Sequence, residues 1–368
     1  MKSVGMSALW IIAVIGFTSV LALSDAAAQD TAEMENRGGI RQSCATATNP
    51  DLVCFPNQVG VWKEIDEPTG AQLARLPAGQ RLFLSKIQRT ASILSRLKVF
   101  NPPMGFSAEA RVNQCCEWGR SETAPYFGRI WLKFLWFGAG SNGKPMLEPE
   151  WSRDAEFLFN PTDFWDGSLQ LDLADGRHVA YAPREWGHVN GITLYLNQRD
   201  RDNLYIFITK GSRPLWVPLT REQYLIALIR KREAEFAKDE AEMSPEEDAG
   251  SRQALAQGRA AMVAPLRSQL RAMSAQERTS QAWVDNPSEI SPLVAAGAGR
   301  PLVVFNPDYF DRPRPRSDIQ LIVVRLTFGG QKLDDIPPPF DDPSQVSRHR
   351  LWEFVREVDW QQVAVVMD

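Results

Sequence analysis

Histidine is scarce in this chain, with three in 368 residues. Few side chains therefore change charge near neutral pH, and a histidine-based mechanism has little to draw on. Standard catalytic signatures are missing as well. There is no His-Glu-x-x-His zinc motif, no Gly-x-Ser-x-Gly nucleophile turn, no phosphate loop of the Gly-x-x-x-x-Gly-Lys-Ser/Thr type, no Gly-x-Gly-x-x-Gly run ahead of a helix and no EF-hand loop. A dominant sign of charge is also lacking: 41 Lys and Arg against 45 Asp and Glu leave a formal net charge of -4, so no basic field exists to hold nucleic acid. After the first residues no apolar run is long enough to span a bilayer, because Ile319 to Phe328 is strand-length and interrupted by Arg325.

Residues 1–28 carry the address. Lys2 supplies a positive start, Val4 to Leu23 is an uncharged apolar run, and Ala26-Ala27-Ala28 fits a small-residue cleavage site. These features predict an export signal cleaved before Gln29, a periplasmic or secreted mature chain, and no transmembrane span after cleavage. Removing 28 of the 368 residues leaves 340, enough for one large domain or two smaller ones. Apolar residues at 44% and charged residues at 23% are ordinary for a globular protein.

Four cysteines in an exported chain point to disulfides. Cys44 and Cys54 flank Asn49-Pro50-Asp51, which can turn the chain and close a local loop; that pairing leaves Cys115 and Cys116 to each other, and a bond between neighbours strains the peptide. The crossed pairing joins Cys44 and Cys54, in either order, to Cys115 and Cys116, and it is the preferred of the two. Adjacent cysteines lack the spacer of common zinc knuckles, so a zinc site with His178 or His188 is not favoured. No metal and no cofactor is expected.

Five segments follow: the signal, 1–28; an N-terminal arm with Cys44 and Cys54, 29–70; a body of helix and antiparallel sheet, 71–219; a helical hairpin insert, 220–285; and a return to the sheet with a terminal helix, 286–368. The recurrence of Leu82, Ile87, Ala91, Leu94 and Leu97 predicts helix over most of 71–97 with one face inward, ended by Pro102-Pro103. Alternating runs then predict strands at 105–113, 129–137, 155–159, 168–173, 177–182, 192–197 and 204–210. Asp175-Gly176 is a two-residue hairpin signal, and 197–203 is a polar loop suited to another hairpin.

Thr220-Arg221-Glu222-Gln223 is a capping box that opens a helix. Tyr224, Leu225, Leu228 and Ile229 give its first turns a buried stripe, whereas 230–242 is charged apart from Phe236 and projects into solvent. Ser244-Pro245-Glu246-Glu247 restarts a helix. Its stripe of Leu255, Met262, Leu266, Leu270 and Met273 lies against the first arm or receives a partner, packing being preferred. Ser274-Ala275-Gln276-Glu277 opens a short third helix. Strands return at 301–305 and 319–328, a helix at 347–357 and a terminal strand at 362–367. The fold class is α+β, a mainly antiparallel sheet with an inserted helical hairpin.

Candidate chemistry is sparse. Glycoside hydrolysis needs two carboxylates, set roughly 5 to 9.5 Å apart, and Asp163, Asp166, Asp172 and Glu185 lie in a tryptophan-rich region with Trp118, Trp131, Trp136, Trp151, Trp165 and Trp186. Aromatic faces stack on sugar rings, but large aromatics also fill sheet cores, and alternation over 129–137 buries either Trp131 or Trp136 in any register. His178 and His188 face one cleft only if the strand between them bends back; structural roles suit them better. Asp334-Asp335 and Asp341-Asp342, held apart by three prolines, read as a solvated loop, and the Arg-Pro alternation at 311–316 as a linker.

Residues 211–225 (Gly-Ser-Arg-Pro-Leu-Trp-Val-Pro-Leu-Thr-Arg-Glu-Gln-Tyr-Leu), together with Asn306-Pro307-Asp308-Tyr309-Phe310-Asp311, resemble a combination found in exported bacterial proteins of unknown function. The resemblance implies bacterial export and no activity. Missing catalytic motifs make a non-enzymatic interaction or ligand-binding module the leading expectation, with an envelope protein or glycan as partner. The alternative is a glycan-directed hydrolase using the four carboxylates above.

Overall fold

The computed structural model describes residues 55, 57–67, 70–113, 123–139, 142, 144–162, 164–165, 168–196, 203–211, 213–243, 249–285, 292–328 and 346–368. The signal, all four cysteines, Trp118, Asp163, Asp166, the Ser244 cap and the Asp334 to Asp342 loop lie outside the described residues, as does the side chain of Trp151.

In chain order the strands are β1 (Trp62–Glu67), β2 (Phe106–Asn113), β3 (Gly128–Ala139), β4 (Pro145–Phe159), β5 (Ser168–Asp172), β6 (His178–Tyr181), β7 (Arg184–Val189), β8 (Ile192–Leu196), β9 (Asn203–Thr209), β10 (Trp216–Pro218), β11 (Trp283–Val284), β12 (Arg300–Phe305) and β13 (Leu321–Thr327). The helices are α1 (Gly70–Arg75), α2 (Ala78–Leu94), α3 (Arg221–Glu242), α4 (Ala249–Ala272), α5 (Ala275–Thr279), α6 (Val346–Glu357) and α7 (Trp360–Ala364). The α+β class expected from the sequence is the class observed. A large sheet runs in the order β1-β2-β3-β4-β13-β9-β8-β7 and a smaller one in the order β10-β12-β6-β5, with β11 beside β12. Apart from the parallel pair β1 and β2, neighbouring strands are antiparallel.

Side-chain alternation stacks these elements in four layers. On β13, Ile322, Val324 and Leu326 join a core with α2, α6 and α7, while Leu321 and Val323 point to the opposite face and meet the small sheet. Successive strand residues point to opposite faces, so an unbroken apolar strand is one buried on both sides. The small sheet repeats the pattern: Ala180 and Val303 face the large sheet, whereas Val179, Tyr181, Leu302 and Val304 face α3. Between the sheets lies an aromatic layer. Trp165 sits 4.7 Å from Tyr205 and 5.7 Å from Trp216 by ring centroids, and its indole N–H donates to the Tyr181 carbonyl at 3.1 Å.

Asn160, at the end of β4, ties this stack together. Its φ of 53° is in the left-handed region, which asparagine tolerates better than most residues. Its amide nitrogen donates to Tyr126 O at 3.1 Å and Asp318 O at 2.8 Å, and its oxygen accepts from Gln320 N at 2.7 Å and Leu321 N at 3.2 Å. Both donors and both lone pairs are thus engaged in a fully buried position.

Several expectations require correction. The segment at 362–367 is not a strand. It belongs to α7 and the turn after it: Asp359 Oδ1 accepts from Gln362 N at 3.1 Å as an N-cap, and buried Trp360, Val363 and Met367 follow helical spacing. Burial against α2 and the large sheet overrides the β-propensity of a valine-rich run. The helix expected over 71–97 is two helices, because Pro77 cannot continue the first, and Leu82 is 51% exposed rather than inward. The strand ending at Phe159 starts ten residues earlier, at Pro145. Sequence alternation did not reveal β1, β7 or β10, all at sheet edges.

Replacing Asn160 by aspartate keeps the shape but turns two donors into acceptors facing carbonyl oxygens. A loss of about 2 to 6 kcal/mol in urea unfolding is expected, roughly 1 to 3 for each of the two carbonyls left unpaired. A change below about 0.5 kcal/mol, the scale of an inert surface substitution, would show that Asn160 anchors nothing.

Candidate functional site

The hairpin of α3 and α4 is built from two capping boxes and one apolar base. Thr220 Oγ1 accepts from Gln223 N at 3.2 Å while Gln223 Oε1 accepts from Thr220 N at 3.0 Å, and Ser274 and Glu277 repeat the arrangement at the start of α5. Tyr224, Leu225, Ala227 and Leu228 bury the first turns of α3 on the small sheet. Arg230 and Lys231 then lock the helix to the edge strand β5, donating to Asp172 O at 2.8 Å and Gln170 O at 2.7 Å. Leu266 and Leu270 of α4, with Met273 just after it, pack on the same base.

Beyond that base the hairpin leaves the body. Residues 237–242 are exposed, and α4 is mostly exposed from Gly250 to Met262. The two arms touch through Phe236, whose ring lies beside Gly258, where a methyl group would stand 3.7 Å from it, and through the Arg267 to Glu233 ion pair. Along one side they enclose a groove of about 560 Å³. Phe236, Leu255, Ala256, Ala260, Val263 and Ala264 supply apolar walls; Arg259, Arg267 and Arg271 stand on the α4 side and Glu240 on the α3 side. Between Ala249 and Ala272 the sequence holds four arginines and no acidic residue. That one-signed arm was the available signal for the groove. The stripe read from hydrophobicity found Leu255, but Met262 is 54% exposed and outside the groove lining.

A second, smaller cavity of about 220 Å³ is lined by Lys210, Arg213, Tyr309, Asp311, Arg314 and Asp368, among others. It is internally neutralised. Arg314 bonds Asp318 at 3.1 Å and Asp368 O at 3.2 Å, Lys210 donates to Met367 O at 2.5 Å, and Lys86 pairs with Asp368. Tyr309 donates to Gln320 O at 3.1 Å, and burial pushes its phenol up to about 12.

The described carboxylate candidates do not share a strand or a sheet. Asp172 is on β5 of the small sheet, 2.6 Å from His178 on β6; Glu185 is on β7 of the large sheet, 3.5 Å from His188. All four of these side chains are more than half exposed. Asp175, in the turn between β5 and β6, is held below the usual carboxylate range by its hydrogen bond from the Arg177 side chain. The expected hairpin is there, with Gly176 at φ 81°.

The tryptophans divide. Trp136 is buried on the helix side of the large sheet, stacked near Phe106 and Phe134, and Trp165 is in the layer between the sheets. Trp186 packs edge-on against Trp352. Trp131 lies on the charged stretch of the large sheet not reached by the small one. Its N–H donates to Asp154 at 3.1 Å and Lys133 Nζ stands 3.8 Å from the ring centroid, so a cation occupies a place where a sugar ring would stack. Next to it, buried Glu156 accepts from Arg325 at 2.6 Å and Arg129 at 3.4 Å. Among the described residues no three His, Cys, Asp or Glu are placed to hold a metal ion, and no helix is long and apolar enough to cross a membrane.

Comparison with known proteins finds no matching family model, no similar curated protein and no similar solved structure.

The raised phenol of Tyr309 gives an alkaline prediction. Its folded value of about 12 exceeds the ordinary value of about 10, so its contribution is fully present below pH 10 and is lost as pH rises from 10 through 12. Tyr309→Phe lacks this loss, so the stability gap between parent and variant should shift in the variant's favour across that window. Tyr224, which burial also pushes up, keeps its share in both. A gap independent of pH between 10 and 12 would show that Tyr309 ionises as freely folded as unfolded.

Proposed function

We propose that this is a non-enzymatic interaction module of a bacterial envelope, exported to the periplasm or beyond, whose body presents the α3 and α4 hairpin to a partner protein. One observation carries the reading: the distal hairpin adds little to the packed body, yet it holds the larger of the two grooves described above, with apolar walls and a cationic flank. A helical arm that buries its base and exposes its far half has a stability role only at the base. Export rests on residues 1–28 and on the resemblance of residues 211–225 to exported proteins.

The hydrolase reading lacks comparable support. Such an acid and base pair acts from one cleft, whereas Asp172 and Glu185 are solvent-facing on different sheets and each meets its own histidine.

Photo-crosslinking tests the proposal. With a photoactivatable residue at Ala260 in the groove or at Lys63 on β1, illumination in the producing cells should give a discrete protein adduct from position 260 and none from 63. Absence of any adduct at 260, together with turnover of envelope glycans that Asp172→Asn or Glu185→Gln abolishes, would replace the proposal by the hydrolase.

A further inference from the structure

We infer that the groove between α3 and α4 receives an amphipathic helix of a partner protein, with a small-residue apolar face and acidic side chains along the flank that meets α4. The inference rests on the interaction reading above and names the partner's chemistry.

Shape argues for a helix. Both walls are helices, whose backbone donors and acceptors are spent internally apart from the Ala261 carbonyl, to which Pro265 offers no amide, so an extended strand finds no ladder to join. A third cylinder fits a furrow between two others at the usual spacing of about 8 to 10 Å between axes. Ala256, Ala260 and Ala264 recur at four-residue steps along the groove, and such small side chains let another helix approach closely. From Arg259 to Arg271 the arm spans about 18 Å, at roughly 1.5 Å per residue, so about three turns of partner helix lie against it.

Charge selects the partner. Arg259 and Arg271 have no ion pair or hydrogen bond among the described residues, whereas Arg267 is held by Glu233. Two uncommitted guanidiniums beside an apolar wall attract carboxylates, bind them in bidentate geometry and reject lysine-rich helices. The α4 arm of a second copy is the less favourable occupant, because it has four arginines and no acid and would set like charges against each other; the acidic α3 arm of a second copy is the alternative that sedimentation tests below. On the opposite side Glu240 lines the groove, which favours a basic residue on the partner's other flank and so sets its orientation.

The test pans a displayed library of helix-forming peptides, randomised for charge and side-chain size on one face, against the full chain. Binders are then compared on the parent and on the Arg259→Glu, Arg271→Glu double variant. Both sites are exposed, and an unchanged melt confirms that the variant folds. The expected result is enrichment of Asp and Glu along one flank, at least about a tenfold loss of affinity on the variant, weakening by salt, and recovery when the peptide's acids are exchanged for lysines. Enriched peptides that bind parent and variant equally, or that are basic or non-helical, overturn the groove assignment while leaving the interaction reading standing. An empty selection overturns it too. So does a dimer of the parent chain, seen by sedimentation, that the double variant dissolves, since the occupant is then a second copy. A failed crosslink at Ala260 beside glycan turnover is a separate result and sinks the interaction reading itself.

Discussion

Three strands of the large sheet are covered on both faces over part of their length, and the rest of the molecule is arranged around that double burial. β4, β13 and β9 are adjacent and antiparallel, with Phe157, Ile206 and Val324 facing the helices and Leu158, Tyr205 and Val323 facing the small sheet. A sheet apolar on both faces needs a cover on each. The cover on one side is α2, α6 and α7; on the other it is the small sheet, which then turns a second apolar face to α3. The C-terminal strands hold interior places in both sheets, β13 between β4 and β9 and β12 between β10 and β6, so residues before and after the hairpin complete one another. Asn160 joins two of these strands, satisfying the backbone at the start of β13 from the end of β4.

The hairpin follows from the same logic and then departs from it. Its base is demanded by the outer face of the small sheet, and Arg230 and Lys231 mark where that demand stops. Past them, among the described residues, the arms meet through Phe236, Val263 and the Arg267 to Glu233 ion pair. An exposed helix pair with one arm of single-signed charge is poorly explained by folding and well explained by recognition, as its arginines lie where they cannot strengthen the core.

Much of this arrangement was legible in the residues. Capping boxes at Thr220 and Ser274 were readable because a cap is a local hydrogen-bond exchange within four residues, and the Asp175-Gly176 turn because glycine alone favours its positive φ. The strands read at 105–113, 129–137 and 204–210 from composition and alternation are present as β2, β3 and β9. Less legible were features decided by distant partners. The valine-rich end became α7 because Trp360 and Val363 bury against α2 and Phe157, contacts separated by more than 200 residues. Edge strands such as β1 and β7 carry weak alternation, since one edge and one face meet solvent. Tryptophan density suggested a sugar platform, yet of the described members Trp136 and Trp165 fill cores and Trp131 lies beneath a lysine. Density reports aromatic content; only packing distinguishes a binding face from an interior. The groove joins residues from two arms, and its signal in one arm was a charge bias that a search for hydrophobic stripes passes over.

Native-state amide hydrogen exchange across the chain tests the central division most directly, because it reads local opening without altering a residue. Amides of β13 should exchange slowest, through global unfolding alone, with β4 and β9 close behind. Those between Ala234 and Met262 should exchange at least about a hundredfold faster, through opening of the distal hairpin that leaves the sheets intact. Equal protection in the distal hairpin and β13 would mean that the arm is part of the core, and the account of it as a recognition element would be wrong.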